Sequence, residues 1–195
     1  MKILKNDNLK NKFDFFKVAV KNLKTSGTLI PSSKFLAQKM LKNIDFYASN
    51  VFVELGPGNG AITHEILKNI GPNSHLICFE VNDEFYQYLK KIRHPQLTVL
   101  NVSAEYMLEE LAKLGHSSTS HIISSLPLTI LPEAISHSIL KTSLLSLEVN
   151  GTFIQFQYSL TYYKYLKKVF KEAISLDFEM LNFPPAFVYR CEKLI

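Results

Sequence analysis

From Asn50 onward, short apolar runs alternate with longer amphipathic segments along the chain. The apolar runs are rich in β-branched and aromatic residues and cover 50–55, 75–80, 97–102, 119–124 and 152–158. Runs of this length and composition predict buried parallel strands. The segments between and after them predict helices over 60–70, 83–92, 104–114, 132–147 and 160–170. This alternation predicts an α/β sheet whose parallel strands are joined by crossover helices.

After residue 170 the pattern changes. Two further strands are predicted at 172–181 and 186–192, separated only by the turn Asn182-Phe183-Pro184-Pro185. A parallel return needs a crossover of about a dozen residues, so this pair must be antiparallel. The resulting sheet, with seven strands, mostly parallel and closed by an antiparallel C-terminal hairpin, resembles the Rossmann-like α/β fold of class I methyltransferases. In dehydrogenases the last strand is parallel.

An amphipathic basic segment precedes this pattern. Apolar residues recur there at steps of four and three, at Leu9, Phe13, Phe16, Val20 and Leu23. Most are followed directly by a lysine, at Lys10, Lys17, Lys21 and Lys24. The pattern predicts an N-terminal amphipathic helix that lies on an anionic membrane, with the lysines beside the apolar stripe. Two alternatives stay open: the stripe packs on the domain, or the lysines neutralise RNA phosphates.

The charge is concentrated in the same segment. The chain of 195 residues has a net charge of +5, and residues 1–42 contain ten lysines and two aspartates. No arginine occurs in the first 92 residues, which favours a lipid interface over a phosphate-reading surface. We therefore divide the chain into an N-terminal segment, 1–45, and a methyltransferase domain, 46–195.

No apolar run reaches the roughly 18 residues that a membrane span needs, and the first ten residues lack the apolar core of a signal peptide. These features predict a cytoplasmic protein associated peripherally with the inner face of the membrane. The two cysteines form no CxxC pair and the histidines show no metal-ligand spacing, so neither a disulfide nor a metal is expected.

A glycine-rich loop follows the first predicted strand. Gly56, Gly58 and Gly60 allow a sharp turn into a helix and a close approach of the backbone to a ligand. Glu80 ends the second strand, where a carboxylate can accept hydrogen bonds from ribose hydroxyls, and Val81 can pack on an adenine. Ser103 and Ala104 follow the third strand at the same edge of the sheet.

The stretch from Glu54 to Gly60 resembles the E-x-G-x-G-x-G signature of class I methyltransferases. The resemblance implies that the cofactor is S-adenosylmethionine. The residues expected to hold it are Glu54, Gly56, Gly58, Gly60, Thr63, Glu80, Val81, Ser103, Ala104, Ser124, Ser32 and Ser33. Ser32 and Ser33 are also candidates for the N-cap of a helix.

The loop after the fourth strand reads Ser125-Leu126-Pro127-Leu128. Amino-methylating relatives often have Asn-Leu-Pro-Tyr at this position, and their aromatic residue stacks on a base. With Leu128 in that place, a flipped adenine loses about 1 to 3 kcal/mol of stacking. The loop therefore favours an acceptor amine that is not part of a base.

Four blocks in order resemble the bacterial phospholipid N-methyltransferases, which are related to the rRNA adenine dimethyltransferases. The blocks lie at 28–37, 125–128, 155–158 and 182–190, and the resemblance runs from about residue 10 to residue 190. It implies stepwise N-methylation of phosphatidylethanolamine towards phosphatidylcholine. Tyr158 and Tyr189 are the candidates to orient the amine and hold the methylated cation, with Ser125 as a polar neighbour.

The expected partners are an anionic membrane surface and a phospholipid substrate, with nucleic acid disfavoured. An RNA adenine N6-methyltransferase is the alternative enzyme, supported by the glycine loop and the basic segment. A membrane-associated binding protein that has kept the fold without catalysis is the alternative of another class.

Overall fold

The computed structural model describes residues 33–48, 50–171 and 173–194. Its centre is a seven-stranded sheet in the order β3-β2-β1-β4-β5-β7-β6. The strands are β1 Val51–Leu55, β2 His75–Phe79, β3 Leu97–Leu100, β4 Thr119–Ser124, β5 Leu147–Gln157, β6 Ile174–Glu179 and β7 Ala186–Glu192. Strands β1 to β5 pair in parallel, and β7 is antiparallel to both β5 and β6. The predicted sheet is confirmed.

Six α-helices connect and cover the strands within the described residues. They are α1 Lys34–Leu41, α2 Ala61–Asn69, α3 Asp83–Leu89, α4 Met107–Lys113, α5 Glu133–Ser146 and α6 Tyr163–Phe170. Short 3-10 turns, Ala104–Tyr106 and Leu160–Tyr162, precede α4 and α6. Each lies inside a helix that the sequence predicts as one element.

The central strands of the sheet are buried on both faces, as the continuous apolar runs predicted, whereas most of the edge strand β6 is at least partly exposed. On one face, Phe52 and its neighbours pack against α1 and α2. On the other, Val51 and Val53 belong to a cluster that includes side chains of α4, α5 and α6. Because side chains alternate along a strand, each parallel strand supplies both cores.

Strand β5 begins five residues before the predicted strand at 152. The sequence predicts a helix that ends at 147 and a strand that begins at 152, whereas the structure keeps Asn150 and Gly151, which lie between them, within β5 as an irregularity. Asn150 has a φ of 66°, and the pairing register shifts between Thr119 and His121. A Cβ on Gly151 would lie 2.9 Å from the carbonyl oxygen of Ser120, so the glycine permits close strand contact. The turn-like pair therefore marks a bulge.

Helix α1 packs against the sheet, although the predicted boundary at residue 45 separates it from the domain. Its buried residues are Leu36, Ala37, Met40 and Leu41. The Arg190 guanidinium of β7 donates to the carbonyl oxygens of Lys39 and Met40 at 3.4 and 3.3 Å. The described part of the N-terminal segment, from residue 33, thus forms part of the core.

The membrane-binding residues predicted from the sequence lie outside the described residues. They are Phe13, Phe16, Val20, Lys10, Lys17 and Lys21. The N-terminal amphipathic helix stays a prediction. No helix within 33–48, 50–171 and 173–194 is long and apolar enough to cross a membrane.

Substituting Arg190 with Met should lower the free energy of unfolding by about 2 kcal/mol, because two hydrogen bonds from a charged donor are lost at the end of α1. Arg93→Met is the matched control, since Arg93 is exposed and is the other arginine of the chain. Urea denaturation of both variants measures the difference. Equal effects would contradict a specific role for Arg190.

Candidate active site

The glycine loop makes the sharp turn that the sequence predicts. Gly56, Gly58 and Gly60 have φ values of 67°, 56° and 80°, in the region that favours glycine. The Gly56 N–H donates to the Phe79 carbonyl at 2.9 Å, which ties the loop to β2. A Cβ on Gly56 would lie 2.7 Å from Leu126 Cδ2, whereas a Cβ on Gly58 would meet nothing within 4 Å. Gly56 serves packing, and Gly58 faces open space.

The Glu80 side chain binds the backbone of the glycine loop. One carboxylate oxygen accepts the Gly58 N–H at 3.0 Å, and the other accepts the Asn82 N–H at 2.8 Å. The side chain is 3% exposed, and burial raises the pKa of the carboxyl despite these hydrogen bonds. Each carboxylate oxygen can accept a second hydrogen bond. Glu80 therefore holds the loop and retains acceptor capacity for ligand hydroxyls.

Glu54 lies beneath the loop and is completely buried. Its Oε2 accepts the Thr63 hydroxyl at 2.6 Å and lies 3.5 Å from the Cys78 thiol. Within the described residues its Oε1 has no hydrogen-bond partner. Burial raises the pKa of Glu54 to about 7, with the Thr63 and Cys78 hydrogen bonds opposing the shift. This unpartnered oxygen is suited to pair with a cationic or hydrogen-bonding ligand group.

Thr63 was predicted to contact the cofactor. The structure places it at the candidate site, where its contact is with Glu54. Its hydroxyl is buried and donates to Glu54. The proton of that hydroxyl is therefore committed to a protein carboxylate. Thr63 orients Glu54 in this arrangement, and a direct ligand contact stays a prediction.

Val81, Ser103 and Ala104 are brought together at the carboxyl ends of β2 and β3, and all three are buried. The Ser103 hydroxyl caps the 3-10 turn, accepting the Glu105 N–H at 3.4 Å and donating to the Glu105 carboxylate at 3.3 Å. Its side chain therefore has a local structural role. Contact of this loop with an adenine stays a prediction.

The loop after β4 approaches the glycine loop. The Ser125 N–H donates to the Leu55 carbonyl at 2.9 Å, and the buried Ser124 hydroxyl accepts the Leu126 N–H at 3.4 Å. Leu128, which replaces an aromatic residue of the amino-methylating relatives, is 1% exposed and belongs to the core. Its side chain therefore presents no open surface on which a base can stack.

Gln155 of β5 is a site residue that the sequence argument missed. Its side-chain amide donates to the Leu126 carbonyl at 3.1 Å, which fixes the loop after β4. Its Oε1 is buried without a partner within the described residues, and so is the Nε2 of Gln157. Each glutamine alone resembles an ordinary polar strand residue. The pattern that could have identified the pair is their alternation with apolar residues in the run 152–158.

The two candidate acceptor tyrosines occupy different environments. Tyr158, just after β5, is 39% exposed. Partial burial raises the pKa of its hydroxyl, and the nearby Asn182 side chain opposes this shift. Tyr189 is completely buried, and its hydroxyl donates to the Ser159 carbonyl at 3.2 Å. The structure thus brings Tyr158 to the open edge, whereas Tyr189 supports the segment that follows β5.

Asn182 was predicted as a turn residue within the block 182–190, and the structure shows that it joins the hairpin to the start of α1. Its Oδ1 accepts the Ser33 N–H at 3.0 Å, and its amide donates to the Pro184 carbonyl at 2.7 Å. Its side chain also lies near Tyr158. Ser33 is the N-cap of α1, as predicted, with its hydroxyl accepting the Leu36 N–H at 3.1 Å. Ser32 lies outside the described residues.

A cleft of about 450 Å³ opens between α5 and α6, beside the loop after β4. Its apolar lining residues are Leu128, Leu131, Leu140 and Val169. Its charged lining residues include Glu133, Lys164 and Lys168. No residue of the glycine loop lines it. The cleft is therefore separate from the cofactor region and lies on the side of the loops that follow β4 and β5.

Within the described ranges, no three His, Cys, Asp or Glu side chains group in a way that suits a metal ion. The acids of the site instead bind backbone N–H groups and hydroxyls. Their chemistry fits a polar organic ligand that carries hydroxyl and amino groups.

Comparison with known proteins places this geometry among methyltransferases. No family model matches the chain. An ornithine lipid N-methyltransferase from Singulisphaera acidiphila is 27% identical over 168 residues, which are 85% of this chain and 87% of the relative. A ribosomal RNA small subunit methyltransferase A from Hydrogenobaculum sp. is 29% identical over 108 residues, or 55% of this chain and 40% of that protein.

Among solved structures, precorrin-6y C5,15-methyltransferase from Geobacter metallireducens superposes with a TM-score of 0.62 at 13% identity. The match covers 81% of this chain and 88% of the other. The chain therefore has the α/β fold found in this methyltransferase. Its relatives include a lipid N-methyltransferase. The sequence blocks predicted a more specific resemblance, to enzymes that methylate phosphatidylethanolamine, and the comparison does not reach that level of detail.

The buried Glu54 carboxyl should make stability depend on pH. Its folded pKa of about 7 lies above the usual glutamate value of 4.5, so the folded state binds more protons between these pH values. The contribution of Glu54 to the free energy of unfolding should therefore decrease as pH rises from 4.5 to 7, by up to about 3 kcal/mol, and stay level above that.

Urea denaturation of wild type and Glu54→Gln across this pH range measures the effect. The variant should show a flatter pH dependence than wild type, because Gln does not titrate. Glu148→Gln, at an exposed position, serves as the control and should keep the wild-type slope. An unchanged slope in Glu54→Gln would contradict the shifted pKa.

Proposed function

We propose that the protein transfers a methyl group from S-adenosylmethionine to the amine of a membrane lipid. The observation that carries this proposal is the similarity to an ornithine lipid N-methyltransferase over 85% of the chain. Phosphatidylethanolamine, with its mono- and dimethyl derivatives, is the substrate that the sequence blocks suggest, and ornithine lipid is the substrate named for the relative. Both carry an amine on a headgroup attached to acyl chains.

The chemistry of the cofactor residues supports S-adenosylmethionine. The open face at Gly58 admits a ligand close to the backbone, and Glu80 retains acceptor capacity for ribose hydroxyls. Val81 and the Ser103-Ala104 loop are proposed to enclose an adenine. The Oε1 of Glu54, which has no partner within the described residues, is proposed to face an amino group. When bound, S-adenosylmethionine supplies an electrophilic methyl group on a sulfonium.

The acceptor side is proposed to lie between the loop after β4 and Tyr158. An amine is a nucleophile only after it loses its proton, so the site must desolvate it and direct its lone pair. Ser125 lies on the loop after β4, and the exposed Tyr158 ring can hold the more methylated, cationic headgroup through cation–π attraction. The raised pKa of Tyr158 keeps its hydroxyl neutral and makes it a hydrogen-bonding group rather than a base.

Two further features support a lipid acceptor. The cleft between α5 and α6 combines an apolar lining with Lys164 and Lys168, a combination that suits an acyl chain beside an anionic group. Leu128 is buried, so the stacking surface typical of base-methylating relatives is missing there. The basic segment at 9–24 is proposed to dock the enzyme reversibly on the inner face of the membrane.

Gly58→Ala tests the cofactor site. Its Cβ would enter the open space of the loop, so we expect S-adenosylmethionine binding to weaken at least about tenfold, measured by calorimetry. The positive φ should also cost about 1 kcal/mol of stability. Gly115→Ala is a matched control, since Gly115 has a φ of 82° and equally open surroundings away from this loop. It should lose similar stability and keep cofactor binding.

The substrate class is tested by a methyl-transfer assay with phosphatidylethanolamine vesicles, ornithine lipid vesicles and RNA in parallel. We expect labelled methyl groups on lipid and none on RNA, with several-fold less product from Tyr158→Leu because an aromatic face is lost. Tyr47→Leu, at a residue 80% exposed elsewhere, should leave the rate unchanged.

RNA methylation is the second candidate, because a ribosomal RNA methyltransferase matches 55% of the chain. Label on RNA alone would reverse the order of the two candidates. Absence of cofactor binding in calorimetry would reject both and favour a binding protein with this fold.

A further inference from the structure

The β6–β7 hairpin carries the most exposed group of large apolar side chains at the candidate site. Its tip, residues 180–185, contains Met180 at 74% exposure, Leu181 at 65% and Phe183 at 82%. The tip contains no charged residue. Exposed apolar groups concentrated in this way mark interaction surfaces, because isolated ones are scattered over most proteins.

The tip is held in shape by hydrogen bonds rather than by packing of these three side chains. The Leu181 N–H donates to the Glu179 carboxylate at 2.9 Å, and the Asn182 amide donates to the Pro184 carbonyl at 2.7 Å. Lys39 lies 3.7 Å from Glu179 and offsets its charge. The acidic group nearest the tip is thus neutralised, which removes repulsion from an anionic surface.

The position of the tip links it to the candidate acceptor site. Strand β6 runs parallel to β5, so its end at Glu179 lies at the same edge of the sheet as the end of β5. Asn182, within the tip, lies near Tyr158, the candidate acceptor residue, and influences its pKa. A surface that receives the tip therefore also faces the opening of the proposed acceptor site.

The basic segment of the chain joins the described structure at the tip. The Ser33 N–H donates to Asn182 Oδ1 at 3.0 Å, so residues 1–32 lead directly to this corner. Those residues contain seven lysines and two aspartates. Positive charge is thus connected to the exposed apolar tip, and together they complement a surface that is anionic outside and apolar within.

We propose that the hairpin tip inserts into the interface of an anionic lipid bilayer, as a docking element separate from the stripe at 9–24. The proposal rests on the proposed function, because it assumes that the acceptor is drawn from the same bilayer. Met180, Leu181 and Phe183 enter the headgroup boundary, and the Tyr158 side of the edge then faces the lipid amines.

A fluorescent reporter tests insertion directly. The sequence contains no tryptophan, so Phe183→Trp provides a single tryptophan at the tip. On addition of phosphatidylethanolamine vesicles containing anionic phosphatidylglycerol, its emission should shift to shorter wavelength and be quenched by lipids brominated on their acyl chains. Val149→Trp, at an exposed apolar position near the start of β5, should show neither change. Equal responses from both would overturn the proposal.

Removing the apolar side chains should weaken binding without damaging the active site. For Met180→Ser/Leu181→Ser we expect at least about a tenfold lower partition into the same vesicles, measured by sedimentation. Its rate on a short-chain lipid dispersed as monomers should stay at the wild-type level. Val149→Ser/Leu194→Ser, which removes two exposed apolar residues at the opposite edge, should partition like wild type.

The outcomes separate this proposal from the proposed function. Wild-type partition of Met180→Ser/Leu181→Ser, or loss of its activity on monomeric lipid, would overturn the docking role. Tip-dependent vesicle binding without methylation of any lipid would leave docking intact and reject the lipid substrate. Concentration-dependent dimers that the double substitution abolishes would identify a second copy as the occupant and overturn a membrane role.

Discussion

The candidate site depends on the close approach of two loops at one edge of a parallel sheet. Strands β1 and β4 are neighbours in register, so the loops that follow them leave the sheet side by side. Gly56 suits this contact, because its φ of 67° favours glycine and a Cβ there would lie 2.7 Å from the end of the Leu126 side chain. The Ser125 N–H closes the pair by donating to the Leu55 carbonyl. Strand register, this glycine and this hydrogen bond together bring the loop proposed for the cofactor beside the loop proposed for the acceptor.

The same edge contains polar groups that the fold leaves incompletely satisfied. Glu54 is buried with a free oxygen, and Gln155 and Gln157 each have a buried polar atom without a partner within the described residues. Such groups lower stability, because a buried donor or acceptor has lost its water. Two further such atoms, the hydroxyls of Ser143 and Ser146, lie on α5. The three on β1 and β5 lie near the carboxyl ends of their strands, beside the loops proposed to hold the ligands.

The sequence was sufficient to predict the sheet, the crossover helices and the glycine loop, because these depend on local periodicity and on glycine. It also narrowed the N-cap of α1 to Ser32 or Ser33, and the structure shows Ser33. It placed the start of β5 too late, since Asn150-Gly151 has the composition of a turn while its bulge depends on pairing with β4. The periodicity of the sequence cannot show that Tyr158 is exposed and Tyr189 is buried, because the residue type is the same at both positions. The roles of Gln155 and Asn182 come from long-range hydrogen bonds that no local pattern contains.

A lipid amine presents a geometric problem that a soluble substrate does not. The headgroup stays at the membrane surface, so the enzyme must bring its acceptor opening to a plane rather than wait for the molecule to diffuse in. A single docking element leaves the enzyme free to rotate about it, whereas two separated elements restrict that rotation. In this chain Asn182 is hydrogen-bonded to the entry of α1 and within the hairpin tip, and its side chain lies near Tyr158. Under the proposed function, this one amide relates the orientation on the membrane to the orientation of the site.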